Sequence, residues 1–179
     1  MKVKCTAGAL LLLLASTICA SGEEAPLTDA QIVGIIVVAN QAEIAAGQVA
    51  MRRTQSRSIQ SFASRMVDEH AQVNQETAGL MQRLAVTPQR SETSDELMQQ
   101  SYDDLARLNA IDARDFDQAY LDREVIFLHQ LIKSVDIFIR STRNAELKVL
   151  LVRSRPSFIL HLDQAYRLQV ALERPGYGR

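Results

Sequence analysis

The chain has 179 residues, 20 basic and 21 acidic, and carries a formal charge of −1. So even a balance excludes nucleic acid as a charge-driven partner. Both cysteines, Cys5 and Cys19, fall in the first 20 residues, so the rest of the chain has no thiol, disulfide or thiolate-ligated metal.

The first 22 residues read as a secretory signal peptide. Lys2 and Lys4 form a positive start, Ala9 to Ala15 an apolar run, and small residues follow through Gly22. Cleavage is expected after Ala20, Ser21 or Gly22. Acylation at Cys19, which would make an outer-membrane lipoprotein, is disfavoured because Ile18 before it is not small. Without Lys2 and Lys4 the charge becomes −3, from 18 basic and 21 acidic residues. No later run reads as long and uncharged enough to span a bilayer, so the expectation is a soluble protein in the periplasm or beyond. Residues 23–27 form an N-terminal extension, 28–173 one domain and 174–179 a frayed tail.

Gly and Pro are few, two-residue alternation is nearly absent, and Ala, Leu, Gln, Glu and Arg fill long stretches. This predicts an all-α protein. The first helix is expected from Thr28 to Thr54, with Thr28 and Gln31 as a capping box. Its apolar side follows Ile32, Ile35, Ile36, Ala39, Ala46 and Ala50, interrupted by Glu43. The second, Ser58 to Leu84, carries Ile59, Phe62, Ala63, Met66, His70, Val73, Thr77, Leu80, Met81 and Leu84 at steps of three and four. His70 stands where a leucine would be expected.

Turn formers from Thr87 to Ser94 break the pattern. A shorter helix follows, Asp95 to Asn109, with Thr93 and Glu96 as a second capping box. Asp112 is the expected N-cap of a long helix reaching Ser141. Its stripe reads Leu121, Val125, Leu128, Ile132, Val135 and Ile139, with His129 on the flank. The last helix, Asn144 to Glu173, carries Leu147, Leu151, Phe158, His161, Leu162, Ala165, Leu168 and Leu172. Pro156 inside it is expected to kink or split the helix at Arg155. Four long helices with two short joints predict two antiparallel hairpins. The segment between the hairpins, with its own short helix, makes a crossover, which is the ferritin-like four-helix topology.

Glu43, His70, His129 and His161 fall near the midpoints of the four long helices, so a bundle brings them toward one layer. Imidazoles and a carboxylate suit one zinc, copper, nickel or iron ion. Asn74 and Asp122 are placed to orient the imidazoles. The same residues also describe a structural layer of mutually bonded polar groups, and both readings stand. A di-iron centre needs Glu-x-x-His on two helices; here Val67, Ile126 and Phe158 precede the three histidines by three. No hydrolase, phosphate-loop or nucleophile-elbow motif is present. Arg52, Arg53, Arg57, Arg140 and Arg143 cluster at the hairpin tips, where they complement helix C-termini or meet anionic lipid. An exposed apolar groove would favour binding an envelope partner or self-association.

The segment Phe62-Ala63-Ser64-Arg65-Met66-Val67-Asp68-Glu69-His70, then Asn74, resembles a signature of an exported bacterial family, domain of unknown function 4142. Phe116 to Asp122 with His129, and Leu147-Lys148, Pro156 and His161-Leu162, resemble its later signatures. Glu69 stands where the family more often has Asp. The resemblance implies a ferritin-like, exported helical bundle with Glu43, His70, His129 and His161 at family positions, and it implies no reaction.

Overall fold

The structure, a computed structural model, describes residues 26–173. The leader and the tail inferred above lie outside these residues. Five helices and no strand are present among them: α1 Asp29–Arg53, α2 Arg57–Leu84, α3 Glu92–Ala110, α4 Ala113–Ser141 and α5 Ala145–Leu172.

Local chemistry sets the boundaries. Thr28 and Gln31 form the expected capping box. The second box uses other residues than the sequence reading chose. Ser91 accepts from Ser94 N at 3.1 Å and Ser94 Oγ accepts from Ser91 N at 2.9 Å, so α3 starts three residues earlier than expected. A serine at the third helical position does the work usually given to Glu or Gln. Asp112 is the N-cap of α4 without a side-chain cap bond, whereas Asn144 caps α5 through Leu147 N at 3.0 Å. The end of α2 turns through Ala85, at φ 51°, with Val86 N donating to Met81 O at 3.1 Å. This is a left-handed helix end built without glycine.

Of the kink or split expected at Pro156, the split does not occur; α5 runs through it. Pro156 faces solvent while Leu151 and Phe158 on either side are buried. Burial of that face holds the helix together across the missing donor.

Around the core, α1 neighbours α2 and α4, and α5 neighbours the same two helices. Directions follow from the ends. Thr142 Oγ1, where α4 meets α5, donates to Asp29 Oδ1 at the start of α1, at 2.6 Å. Arg83, ending α2, pairs with Glu146, opening α5, at 3.0 Å. Neighbouring long helices are therefore antiparallel. The shorter α3 lies mainly on α1. Arg53 donates to Ile111 O at 2.6 Å and to Leu108 O, so this tip arginine satisfies the carbonyl end of α3. Gly34 lets the incoming loop touch α1: a Cβ there would lie 2.2 Å from Gln89 O.

One sequence expectation needs correcting. By length and composition alone α1 is apolar enough to cross a membrane, with a mean hydropathy of 1.5. In this fold 67 % of that stretch is buried against other helices, which is where its apolar side chains go.

The core is interrupted. One apolar cluster holds Ala46, Phe62, Met66, Phe116, Tyr120, Leu121 and Ala165; another holds Ile32, Ile36, Leu80, Val135, Leu151 and Phe158. A band of buried polar residues separates them.

Candidate functional site: a buried charged layer

Each long helix sends one ionisable side chain into that band: Glu43 from α1, His70 from α2, Glu124 from α4 and His161 from α5, all buried. Arg123, beside Glu124, enters with them and is 7 % exposed.

The guanidinium is the centre of the layer. Arg123 Nη1 donates to Glu43 Oε1 and, at 2.8 Å, to Glu124 Oε1. Its Nε lies 3.6 Å from Asp104 Oδ2 on α3, and its carbon sits 4.3 Å above the ring of Phe127. A cleft of about 690 Å³ between α3 and α4, lined by Asp103, Asp104, Asp122 and Arg123 among others, reaches this end of the layer.

Burial disfavours charge on both glutamates, but their surroundings separate them. For Glu43, burial is outweighed by the Arg123 guanidinium and by His70, which hold its carboxyl below the usual range. For Glu124, burial and the neighbouring Glu43 charge push the carboxyl well up. Of the two, Glu43 is the carboxyl whose charge the site favours and Glu124 the one driven towards its neutral form. Burial opposes the charge on Arg123, but Glu43 and Glu124 raise its pKa further. Tyr120 is also pushed well up, by burial first and then by the two glutamates.

The histidines are held by separate chains of bonds. His70 Nδ1 lies 2.8 Å from Asn40 Oδ1, and Asn40 Nδ2 donates to Asn74 Oδ1 at 3.2 Å. Asn40 accepts here, so the His70 proton is on Nδ1. Bare Nε2 then faces Glu43 Oε2 at 3.9 Å. His161 Nε2 donates to Glu69 Oε2 at 2.9 Å, and Ser157 Oγ donates to the same oxygen at 2.8 Å. The two imidazole centroids are 5.6 Å apart, and Phe158 stacks on His70. Burial, opposed by Glu43, lowers His70 to about 4; burial also lowers His161, against the pull of Glu69.

Three of the four residues proposed from sequence, Glu43, His70 and His161, therefore lie in this layer, and His129 does not. It is exposed and bonds Tyr166 Oη through Nε2 at 2.6 Å. The reason is a stripe misread by one position. The buried face of α4 runs through Leu121, Glu124, Leu128, Val135 and Phe138, which turns His129 outward. Glu124 was legible by spacing, three after Leu121 and four before Leu128. Asn74 orients His70 only through Asn40, and Asp122 accepts from Gln118 and Gln169 at the surface rather than from a histidine. Arg123, Asn40, Glu69 and Tyr120 carried no periodic signal of their own. Among the described residues no three His, Cys, Asp or Glu side chains stand in a metal-holding arrangement.

The described residues thus form an all-helical fold with an ion pair buried in its core. The sequence model described as Domain of unknown function (DUF4142) matches residues 15–168, and the chain belongs to that family. No curated protein matches the chain, and no solved structure does.

Proposed function

We propose that this chain is an exported, ferritin-like helical-bundle protein whose core layer is structural and whose role is interaction rather than catalysis. The observation that carries the reading is the Arg123 guanidinium between Glu43 and Glu124. A metal-binding bundle of this kind draws one Glu from each of two helices and Glu-x-x-His from each of the other two. Glu43 and Glu124 match the first pair, and His70 and His161 match the histidines. Val67 and Phe158 replace the two remaining glutamates. With those ligands gone, an internal arginine supplies the positive charge that the carboxyls need. Export is supported by the Lys2 and Lys4 start, the apolar run and the small residues that follow.

One observation favours a second reading, a single bound zinc, copper, nickel or iron ion. Glu43 Oε2, Glu124 Oε2, His70 Nε2 and His161 Nδ1 are buried and have no hydrogen-bond partner among the protein atoms. Elemental analysis of the mature, untagged protein from a periplasm prepared without chelator separates the two. The structural reading expects no stoichiometric transition metal. One metal per chain, lost in His70→Ala, would replace it with the metal reading.

A further inference from the structure

Helices α3 and α4 are joined by a short turn, yet α3 packs mainly on α1 and a groove opens between α3 and α4. Its two halves meet at Glu96 and Gln100, which line both. One half, about 250 Å³, is walled largely by apolar side chains, among them Ile35, Leu97, Phe127, Leu131 and Phe138. The other, about 690 Å³, is the cleft at the edge of the charged layer. Its own cations do not neutralise it. Glu96, Asp103, Asp104 and Asp122 line it against Arg107 and Arg123. Asp104 engages both arginines, at 3.6 Å each, and Arg123 is also committed to Glu43. Among the described residues no Arg, Lys or His pairs with Glu96, Asp103 or Asp122, all three of which are exposed. Asp103 and Asp122 accept from glutamine amides instead. Arg123 leaves a donor over as well. Its Nε, in the wall of this cleft, is buried without a hydrogen-bond partner among the protein atoms, since Asp104 Oδ2 at 3.6 Å is too far.

We propose that this groove binds a polypeptide segment of a partner, one that carries basic and apolar side chains together. The proposal deepens the interaction reading above and rests on it. Three features select the occupant. Apolar side chains fill the half walled by Phe127 and Phe138. Several cations spaced along one chain meet Glu96, Asp103 and Asp122. Glu96 and Asp103 stand two turns apart on α3, about 10 Å at 1.5 Å per residue, so a single ammonium group does not pair with both. A backbone carbonyl supplies the acceptor that Arg123 Nε lacks. A polyamine leaves the apolar half uncovered and brings no acceptor. An amphiphile with one cationic head reaches one carboxylate and leaves the others unpaired.

The test is fluorescence anisotropy of a short labelled peptide of lysine and leucine titrated with the mature protein, with circular dichroism confirming that each variant folds. Saturable binding is expected, and a triple variant, Glu96→Gln with Asp103→Asn and Asp122→Asn, is expected to weaken it at least about tenfold. A second triple variant removes the same charge from exposed positions on α2 and α5, Asp68→Asn with Glu76→Gln and Asp163→Asn, and is expected to bind as the wild type does. Peptides of the same length made of lysine and serine, or of glutamate and leucine, are expected to bind at least about tenfold more weakly. No saturable binding, equal loss in the two triple variants, or equal binding of the lysine and serine peptide would each overturn the proposal. Displacement of the peptide by an equal concentration of spermidine would overturn it in favour of a polyamine, and displacement by dodecylammonium in favour of a small amphiphile. Elemental analysis is blind to these outcomes. One metal per chain with peptide bound in the groove would sink the structural reading of the core alone, and no metal with no peptide bound would sink the groove alone.

Discussion

Arg123 on α4 reaches Glu43 on α1, 80 positions earlier, and the two side chains meet at 6 % and 0 % exposure. Such a pair is costly to bury and costlier to break, because removing one charge strands the other. The pKa directions say which carboxyl balances the arginine: Glu43 is held low and Glu124 is pushed up.

The two glutamates should therefore respond oppositely to the same conservative change. Glu43→Gln leaves Arg123 without its ionised partner and is expected to cost about 3 kcal/mol at pH 7.5. Glu124→Gln replaces a carboxyl that the fold pushes towards its neutral form with a neutral amide. A raised carboxyl loses stability as pH climbs from its unfolded value towards its folded one. Glutamine removes that loss, so Glu124→Gln is expected to be neutral or stabilising. Urea unfolding of both variants checks the order, and a Glu124→Gln cost equal to that of Glu43→Gln would contradict the assignment.

Acid sensitivity follows from His70. Its pKa falls from the usual 6.5 to about 4 in the fold, through burial first, with Glu43 opposing. Between those values the unfolded chain takes up a proton that the folded chain refuses. Its contribution is thus present above pH 6.5 and is lost as pH falls towards 4, by on the order of 3 kcal/mol. His161 acts in the same direction. His70→Asn keeps a donor towards Asn40 without the titration, so its unfolding free energy should fall less between pH 6.5 and 4. Parallel slopes for variant and wild type would show that His70 does not set this limb.

The long helices were legible because their apolar residues recur at helical spacing over six or more turns, as from Ile59 to Leu84. The layer was legible where a lone polar residue interrupted an apolar row, as at Glu43, His70 and His161. It failed on α4 because Val125, Ile132 and Ile139 make a second, half-buried apolar row beside the true one. Two overlapping rows leave the facing direction to tertiary packing. Arg123 was hidden for another reason: a long charged side chain reads as surface unless its partner is known, and Glu43 lies on a different helix.

Ala85 offers a test of the local backbone. It ends α2 at φ 51°, a left-handed conformation in which a Cβ is unfavourable. Ala85→Gly relieves that strain while Val86 N still donates to Met81 O. The gain is expected to be about 1 kcal/mol, visible as a higher thermal midpoint. A lower midpoint would mean that the entropy added to the unfolded chain outweighs the strain removed.

Removing the internal cation should reveal what the layer is capable of holding. Arg123→Met leaves two carboxyls from α1 and α4 and two imidazoles from α2 and α5, with no guanidinium among them. Without metal the variant is expected to lose about 3–5 kcal/mol, since Glu43 then lacks its counter-charge. Zinc should restore part of this, because an ion that binds only the folded form raises its stability, and carboxylate and imidazole are both zinc donors. Thermal unfolding of wild type, Arg123→Met and Arg123→Met with Glu43→Ala, each with and without zinc, makes the comparison. The reading requires a zinc-dependent rise in Arg123→Met alone. A rise of the same size in the wild type would mean that the arginine does not exclude metal, and no rise in any of the three would mean that the four side chains cannot converge on an ion even when the guanidinium is gone.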